Sequence, residues 1–305
     1  ASRAATLASG ISCLPHRMQT IACTWSSSTT GCQAWNPIAQ VNGFMVVVVT
    51  TARRPTPELR SGAEELATEL GLEVVERAGE SISALRQRHG ADGVLVVAHD
   101  GITYRVGDVT FFYHPSMAKV RVRGLQLGAR DVTVDAMGLQ PGWRVLDCTL
   151  GRASDAAVAA HVVGTSGRVV GLEIDPIIAA LTRRGLLTFD PDSRALSEAL
   201  RRIDVICADH ADYLAQASSR SFDVVYFDPF FEETVEASGA MQDLRAVGSH
   251  GAVTADSLAE AARVARRRVV FKTRRGLCPP LVAAWRAVAG GKSRVEYRVL
   301  DIEES

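Results

Sequence analysis

The residues best placed to do chemistry end the run Phe222-Asp223-Val224-Val225-Tyr226-Phe227-Asp228-Pro229-Phe230-Phe231. An apolar stretch of this kind reads as a buried parallel strand, and ligands of open α/β sheets bind beyond the carboxyl ends of such strands. Asp228 could there accept hydrogen bonds from an amino group. Pro229 stiffens the turn by fixing φ, and Phe230 or Phe231 offers a flat face for a planar base. A structural strand followed by an ordinary Asp-Pro turn is the plain alternative.

Three upstream strands end in the same manner. Arg144 to Asp147 follows the turn at Gly142 and leads into Cys148-Thr149-Leu150-Gly151, then Ala153-Ser154-Asp155 and an apolar helix over 156–163. Gly151 allows close backbone approach to a ligand, and the helix start offers free N–H groups. The strand over 168–172 ends in Glu173, 22 residues after Gly151, where an acid can hold the two ribose hydroxyls of an adenosine. The strand over 203–207 ends in Ala208-Asp209-His210, with Asp209 suited to an adenine amino group and His210 to the side of the ring. A pyrophosphate wants Gly-x-Gly-x-x-Gly. Here one glycine lies between Asp147 and Asp155, which suits a cofactor with a free ammonium, S-adenosylmethionine.

These strands need a Rossmann-like α/β sheet to position them, expected over residues 128–305. A smaller α/β unit is expected over 45–127: a strand at 46–50, and a helix over 57–70 with Leu59, Ala63, Leu66, Ala67 and Leu70 on one face, ended by Gly71. A strand at 72–75, a helix capped by Ser81 and running to His89, and a strand at 93–98 follow. Phe111-Phe112-Tyr113-His114-Pro115, with Lys119, Arg121 and Arg123 behind it, reads either as a grip for single-stranded nucleic acid or as an aromatic bridge between the two units. Residues 1–44 contain no Asp or Glu, are rich in Ser and Thr, and carry only Arg3 and Arg17 as charged residues. They read as a transit-like leader, which would imply an organelle, or as a non-native extension of translated upstream sequence with Met45 as the start. The second is favoured because Met45 opens directly into a strand.

The motifs resemble those of a known family. Asp147-Cys148-Thr149-Leu150-Gly151, Ala153-Ser154-Asp155-Ala156, Gly171-Leu172-Glu173, Arg183-Arg184-Gly185-Leu186, Ala208-Asp209-His210 and Val224 to Glu233 are similar to the class I methyltransferases related to the RsmJ-type small-subunit ribosomal RNA guanine-N2 methyltransferases. The likeness is closer to a Gram-positive branch known only as methyltransferases of unassigned substrate. It covers essentially Met45 to the C-terminus. The resemblance implies a cofactor pocket at Ser154, Asp155, Glu173, Ile174, Asp209, His210 and Asp228, and a base nitrogen of RNA as substrate. Arg152-Ala153-Ser154-Asp155 departs from the Gly-Arg-Asp of the RNA-modifying enzymes, which bears on substrate identity more than on cofactor binding.

The sulfonium methyl is already electrophilic, so such an enzyme chiefly aligns a nucleophile. A base inside a helix would have to leave the stack to reach Asp228. Seven basic residues, Arg263, Arg266, Arg267, Arg268, Lys272, Arg274 and Arg275, crowd into thirteen positions. They read as a phosphate-contacting patch or as a solvated helix end, with Lys272, Arg274 and Arg275 the substrate-binding candidates. Glu232, Glu233 and Glu236 read as a loop over the pocket, and 296–302 as a closing edge strand.

Composition narrows the partners. Lys plus Arg equals Asp plus Glu at 34 each, so any polyanion contact must be local. The six Cys lack metal-ligand spacing, no metal is expected, and Cys148, Cys207 and Cys278 read as reduced core thiols. No run approaches the ~18 apolar residues of a membrane helix, so a cytoplasmic enzyme without a membrane partner is expected. Two further readings stay open: a methyltransferase of a small molecule or protein amide, and a nicotinamide-dependent oxidoreductase or non-catalytic nucleotide-binding domain.

Overall fold

The computed structural model describes residues 45–229, 251–289 and 294–303; the expectations for 1–44, Phe230, Phe231, Glu232, Glu233 and Glu236 lie outside them. Two sheets organise the chain. The smaller has the order β2-β1-β3-β4-β5, with β1 (Val47–Thr51), β2 (Glu73–Val74) and β3 (Gly93–Ala98) parallel, and β4 (Gly101–Val106) and β5 (Val109–Phe112) added as antiparallel neighbours. Helix α1 (Pro57–Leu70) starts with proline in its first turn and ends on Gly71 at φ 66°. It buries the five residues the spacing picks out. Helix α2 (Ile82–His89) is capped by Ser81, whose hydroxyl accepts from the Ala84 N–H at 3.1 Å. The β4–β5 hairpin is absent from the sequence reading. Its signal is the alternation that turns Tyr104 and Phe111 inward, both fully buried.

The larger sheet has the order β11-β12-β10-β9-β6-β7-β8. Strands β6 (Arg144–Asp147), β7 (Arg168–Glu173), β8 (Ile203–Cys207), β9 (Phe222–Phe227) and β10 (Ala265–Arg274) are parallel. Their order reverses at β6, so the β6–β9 junction is a topological switch point. Strand β12 (Val295–Asp301) runs antiparallel between β10 and β11 (Arg286–Ala289). The segment expected to close the sheet as its edge is therefore interior, which explains the burial of Tyr297 and Val299. The true edge, β11, is a short Arg-Ala-Val-Ala strand with too little apolar pattern to announce itself.

Helices α5 (Ser154–Val163), α6 (Pro176–Thr188), α7 (Arg194–Leu200), α8 (His210–Gln216) and α9 (Ala255–Val264) accompany this sheet, preceded by α3 (Ala118–Gln126) and α4 (Val132–Met137). Although α3 falls within the expected 45–127 unit, its buried Ala118 and Val122, spaced i,i+4, pack among α5 and α7 of the larger layer. Helix α6 joins the two sheets. Ile177, Ile178, Ala180 and Leu181 share one apolar cluster with Leu59, Leu66, Tyr104 and Phe111, and Glu69 of α1 receives both Arg183, at 2.6 Å, and Arg184. Of the thiols, Cys148 is buried while Cys207 and Cys278 are exposed. Among the described residues, no helix is long and apolar enough to cross a membrane.

Candidate active site

A cavity opens where the carboxyl ends of β6, β7, β8 and β9 converge. Thr149, Gly151, Glu173, Ile174, His210 and Asp228 line it, together with Cys148, Leu172, Ala208, Pro229 and Gly251. Glu173 is the anchored acid of this rim. Its Oε2 accepts from the Gly151 N–H at 3.0 Å and its Oε1 from the Asp175 N–H at 2.9 Å, so the acid and the loop after β6 are held as one unit. Burial pushes the Glu173 carboxyl up to about 7, against the pull of those N–H donors. The loop is closed from behind by Thr182, whose hydroxyl donates to the Gly151 carbonyl at 2.8 Å. Across the cavity, Thr149 Oγ1 accepts from the Asp228 N–H at 2.6 Å, tying the first loop to the tip of β9.

Four residues expected in the cofactor site do not line the cavity. Asp147 is buried at the end of β6 and accepts from the Thr149 N–H at 3.0 Å, shaping the turn. Burial raises it to about 8. Asp209 caps α8 by accepting from the Ala211 N–H at 2.6 Å. It adjoins the rim, since a Cβ on Gly251 would sit 3.1 Å from its Oδ2. Ser154 opens α5. Asp155, one residue on, points beneath the sheet tip. The His210 ring is buried edge-on to Phe227, 5.6 Å between centroids, and burial lowers its pKa.

Beneath Asp228 runs a chain of alternating charge that the sequence did not suggest. Lys272 Nζ lies 2.7 Å from Asp228 Oδ2 and 3.3 Å from Asp155 Oδ2. Asp155 also accepts from the Tyr226 hydroxyl at 2.7 Å and pairs with Arg121. Arg121 donates further to Asp131, at 2.7 and 2.9 Å, and to Thr133 at 2.8 Å. Burial favours the neutral carboxyl of Asp155, but Lys272, Arg121 and the Tyr226 hydroxyl hold it well below the ordinary range. Burial likewise opposes the charge on Lys272, yet Asp155 and Asp228 keep its pKa well above ordinary. Asp228 is raised, by burial first and by Asp155, with Lys272 opposing.

Comparison with known proteins assigns the chemistry. The family described as "Putative SAM-dependent methyltransferase" matches residues 87–288. The chain belongs to that family. It is also 34% identical over 225 residues to the protein YpiP of Bacillus subtilis, covering 74% of this chain and 88% of that one. Ribosomal RNA small subunit methyltransferase J of Pseudoalteromonas atlantica is 28% identical over 75% of this chain and 88% of its own length. The same-named protein of Laribacter hongkongensis is 35% identical over 48% and 52%. Among solved structures, the SAM-dependent methyltransferase NGO1261 of Neisseria gonorrhoeae superposes with a TM-score of 0.55 at 20% identity, covering 84% of this chain and 96% of that one.

This methyltransferase thus uses S-adenosylmethionine, and the nicotinamide reading falls with it. The β10-β12-β11 arrangement also departs from the dinucleotide-binding order, in which the outer strands follow one another. The donor set of the cavity fits the cofactor: an acid at the second strand tip for a ribose diol, a glycine loop without a pyrophosphate cradle, and His210 beside Ile174 for a planar ring.

The basic stretch near the C-terminus does not form one patch. Arg263 donates to the Leu214 and Ala217 carbonyls at 2.7 and 2.8 Å, and Arg266 to the Arg220 carbonyl. Arg267 lies over the Trp143 ring at 4.9 Å, and Arg268 donates to the Ala136 carbonyl at 3.2 Å. Arg263 lies in the last turn of α9 and the other three at the opening of β10, the sheet end away from the cavity, where they tie helix ends and loops to the sheet. Lys272 and Arg274 lie at the cavity end, with Arg275 just beyond. The aromatic segment is an inter-sheet bridge: Arg152 covers Phe111 at 4.7 Å, and Tyr113 and His114 pack edge-on to Phe189 of the loop after α6.

Proposed function

We propose that this methyltransferase modifies an exocyclic base nitrogen of ribosomal RNA, of the guanine-N2 type, in the cytoplasm. The observation that carries the reading is Asp228. Its backbone is pinned through its N–H to Thr149 and its Oδ2 through Lys272, while residues 228 and 229 face the cavity. Among the described residues that leaves Oδ1 to accept from an amino group. Two curated relatives are named as ribosomal RNA methyltransferases, which supports an RNA base over a small molecule or protein amide.

Glu173 would hold the ribose hydroxyls, Ile174 and His210 the adenine, and the loop from Thr149 to Gly151 the remainder of the cofactor. When bound, S-adenosylmethionine supplies an electrophilic methyl carbon on a sulfonium that leaves as a neutral thioether. The protein's part is alignment. Asp228 takes an N–H of the incoming amine, keeping its lone pair directed into the cavity. As the nitrogen gains its new bond to carbon, the surplus proton passes to Asp228. Pro229 fixes the backbone on which this acceptor sits.

The test is transfer of labelled methyl from S-adenosylmethionine to unmethylated small-subunit ribosomal RNA, followed by nucleoside analysis. N2-methylguanosine should carry the label, and Asp228→Ala should lower the rate by roughly 100-fold or more, the scale of losing one aligned polar group in an active site. Label in protein or small metabolites but not in RNA would refute the substrate assignment.

A further inference from the structure

We infer that Lys272, backed by Asp155 and Arg121, is a positioning residue that keeps Asp228 ionised and orients it with one oxygen free for the substrate amine, and that it makes no phosphate contact. The inference rests on the reading of Asp228 as the amine acceptor. The sequence alone favoured a substrate contact, because Lys272 ends a strand in a basic stretch.

The geometry argues otherwise. The Lys272 ammonium is bracketed by two carboxylates, at 2.7 and 3.3 Å, and its side chain is 22% exposed. An ammonium has three donors, and two are used on carboxylates. The second carboxylate, Asp155, is 9% exposed and is saturated by Tyr226 and Arg121, so it cannot swing out to release the lysine. Arg121 is locked in turn by Asp131, which caps α4 through the Thr133 and Val134 N–H groups. Thr133 continues the lock to the Tyr297 hydroxyl at 2.7 Å on β12. Helices α3, α4 and α5, packed on one face of the sheet, together with β9 and β12 thus fix where the ammonium sits.

The charge balance explains why a cation is needed there. Asp228 faces Lys272 from β10, Asp155 from α5, Arg121 from α3, Tyr226 on its own strand, Tyr297 from β12 and Asp147 from β6. Three carboxylates, Asp131, Asp155 and Asp228, share two cations, Arg121 and Lys272. The cluster holds one negative charge in excess, at its cavity end. Removing Lys272 would leave Asp228 buried beside the Asp155 charge, and Asp228 would take up a proton. A protonated Asp228 donates a hydrogen bond where the amine requires an acceptor.

The full chain and its Lys272→Met, Lys272→Arg, Asp228→Asn and Asp228→Asn/Lys272→Met variants would be compared. Two readouts are needed. In methyl transfer to small-subunit ribosomal RNA, Lys272→Met should lower kcat by roughly 100-fold at pH 7. KM for RNA and the salt dependence of RNA binding should stay unchanged, the acidic limb of the pH profile should move up by at least about one unit, and Lys272→Arg should restore part of the rate. An unmoved kcat with a raised KM and a salt slope shallower by about one would overturn the inference in favour of a phosphate contact.

The second readout needs neither cofactor nor RNA, so it survives failure of the ribosomal reading. As pH rises from about 4 to 8, the unfolded chain of Lys272→Met ionises residue 228 before the folded chain does. The gap in thermal midpoint below the parent should therefore widen with pH, and it should flatten in the Asp228→Asn background. A gap independent of pH, or one that widens equally without Asp228, would sink the proposal.

Discussion

The acid at the tip of β7 makes cofactor binding depend on pH in a calculable way. Glu173 is pushed up to about 7 by burial, yet a ribose diol donates hydrogen bonds best to a carboxylate. If only the ionised form binds, the apparent Kd scales as one plus the ratio of protonated to ionised Glu173. Affinity should therefore improve about tenfold from pH 6 to pH 8, and binding at pH 7 should release about half a proton. The folded-state value lies above the ordinary 4.5, so the unfolded chain ionises first as pH rises. Glu173 accordingly costs the cofactor-free protein stability between about pH 4.5 and 7, and a bound cofactor offsets that cost. Titration calorimetry in two buffers of different ionisation enthalpy reads both the affinity and the proton. In Glu173→Gln most of the slope should vanish, leaving only what neighbouring groups contribute. One of the two N–H donors, Gly151 or Asp175, would also face an amide group that cannot accept, and affinity at pH 8 should fall by about 2 kcal/mol, roughly thirtyfold. His210 and Asp147 also titrate nearby, and the glutamine variant separates their share. A Kd constant within about twofold from pH 6 to 8, or an equal slope in Glu173→Gln, would refute the assignment.

Two further substitutions test the packing that positions the site. Gly185→Ala places a Cβ 2.0 Å from Tyr113 Cγ and 2.5 Å from its Cβ, where the backbone of α6 meets the bridge to the small sheet. It should cost about 1–3 kcal/mol or more by chemical denaturation, part of it recovered by Tyr113→Ala, and a loss under about 0.5 kcal/mol would contradict this contact. Tyr226→Phe removes the hydroxyl that donates to Asp155 at 2.7 Å and should cost about 1–3 kcal/mol. A thermal midpoint lower by several degrees would register it, and an unchanged midpoint would show that Arg121 and Lys272 satisfy Asp155 unaided.

Much of the fold is local and was legible on that account. The apolar face of α1, the Ser81 cap and the strands ending in Asp147, Glu173, Cys207 and Phe227 follow from periodicity and from the turn residues beside them. The hairpin β4–β5 went unread because its strands are short and half polar. The placement of β12 inside the sheet went unread because strand order is a nonlocal property, invisible to the alternation of residues 295–301. The site divides in the same way. Thr149, Gly151, Glu173, Ile174, His210 and Asp228 converge on the cavity because each follows a parallel strand, and parallel strands deliver their ends to one edge. Asp147 was assigned to a ligand on its charge and Asp155 on its charge and the family likeness, but in the fold Asp147 accepts from the Thr149 N–H and Asp155 is paired by Arg121 and Lys272.

The strand-end residues, and with them a methyl-transfer site of the S-adenosylmethionine type, are readable along the chain, since strand, turn and acid follow one another within short windows. The roles of Lys272 and Arg121 emerge in the folded protein. Their partner Asp155 lies 117 and 34 positions away. A charge is settled by its nearest opposite charge in space, a relation that spacing along the chain does not encode.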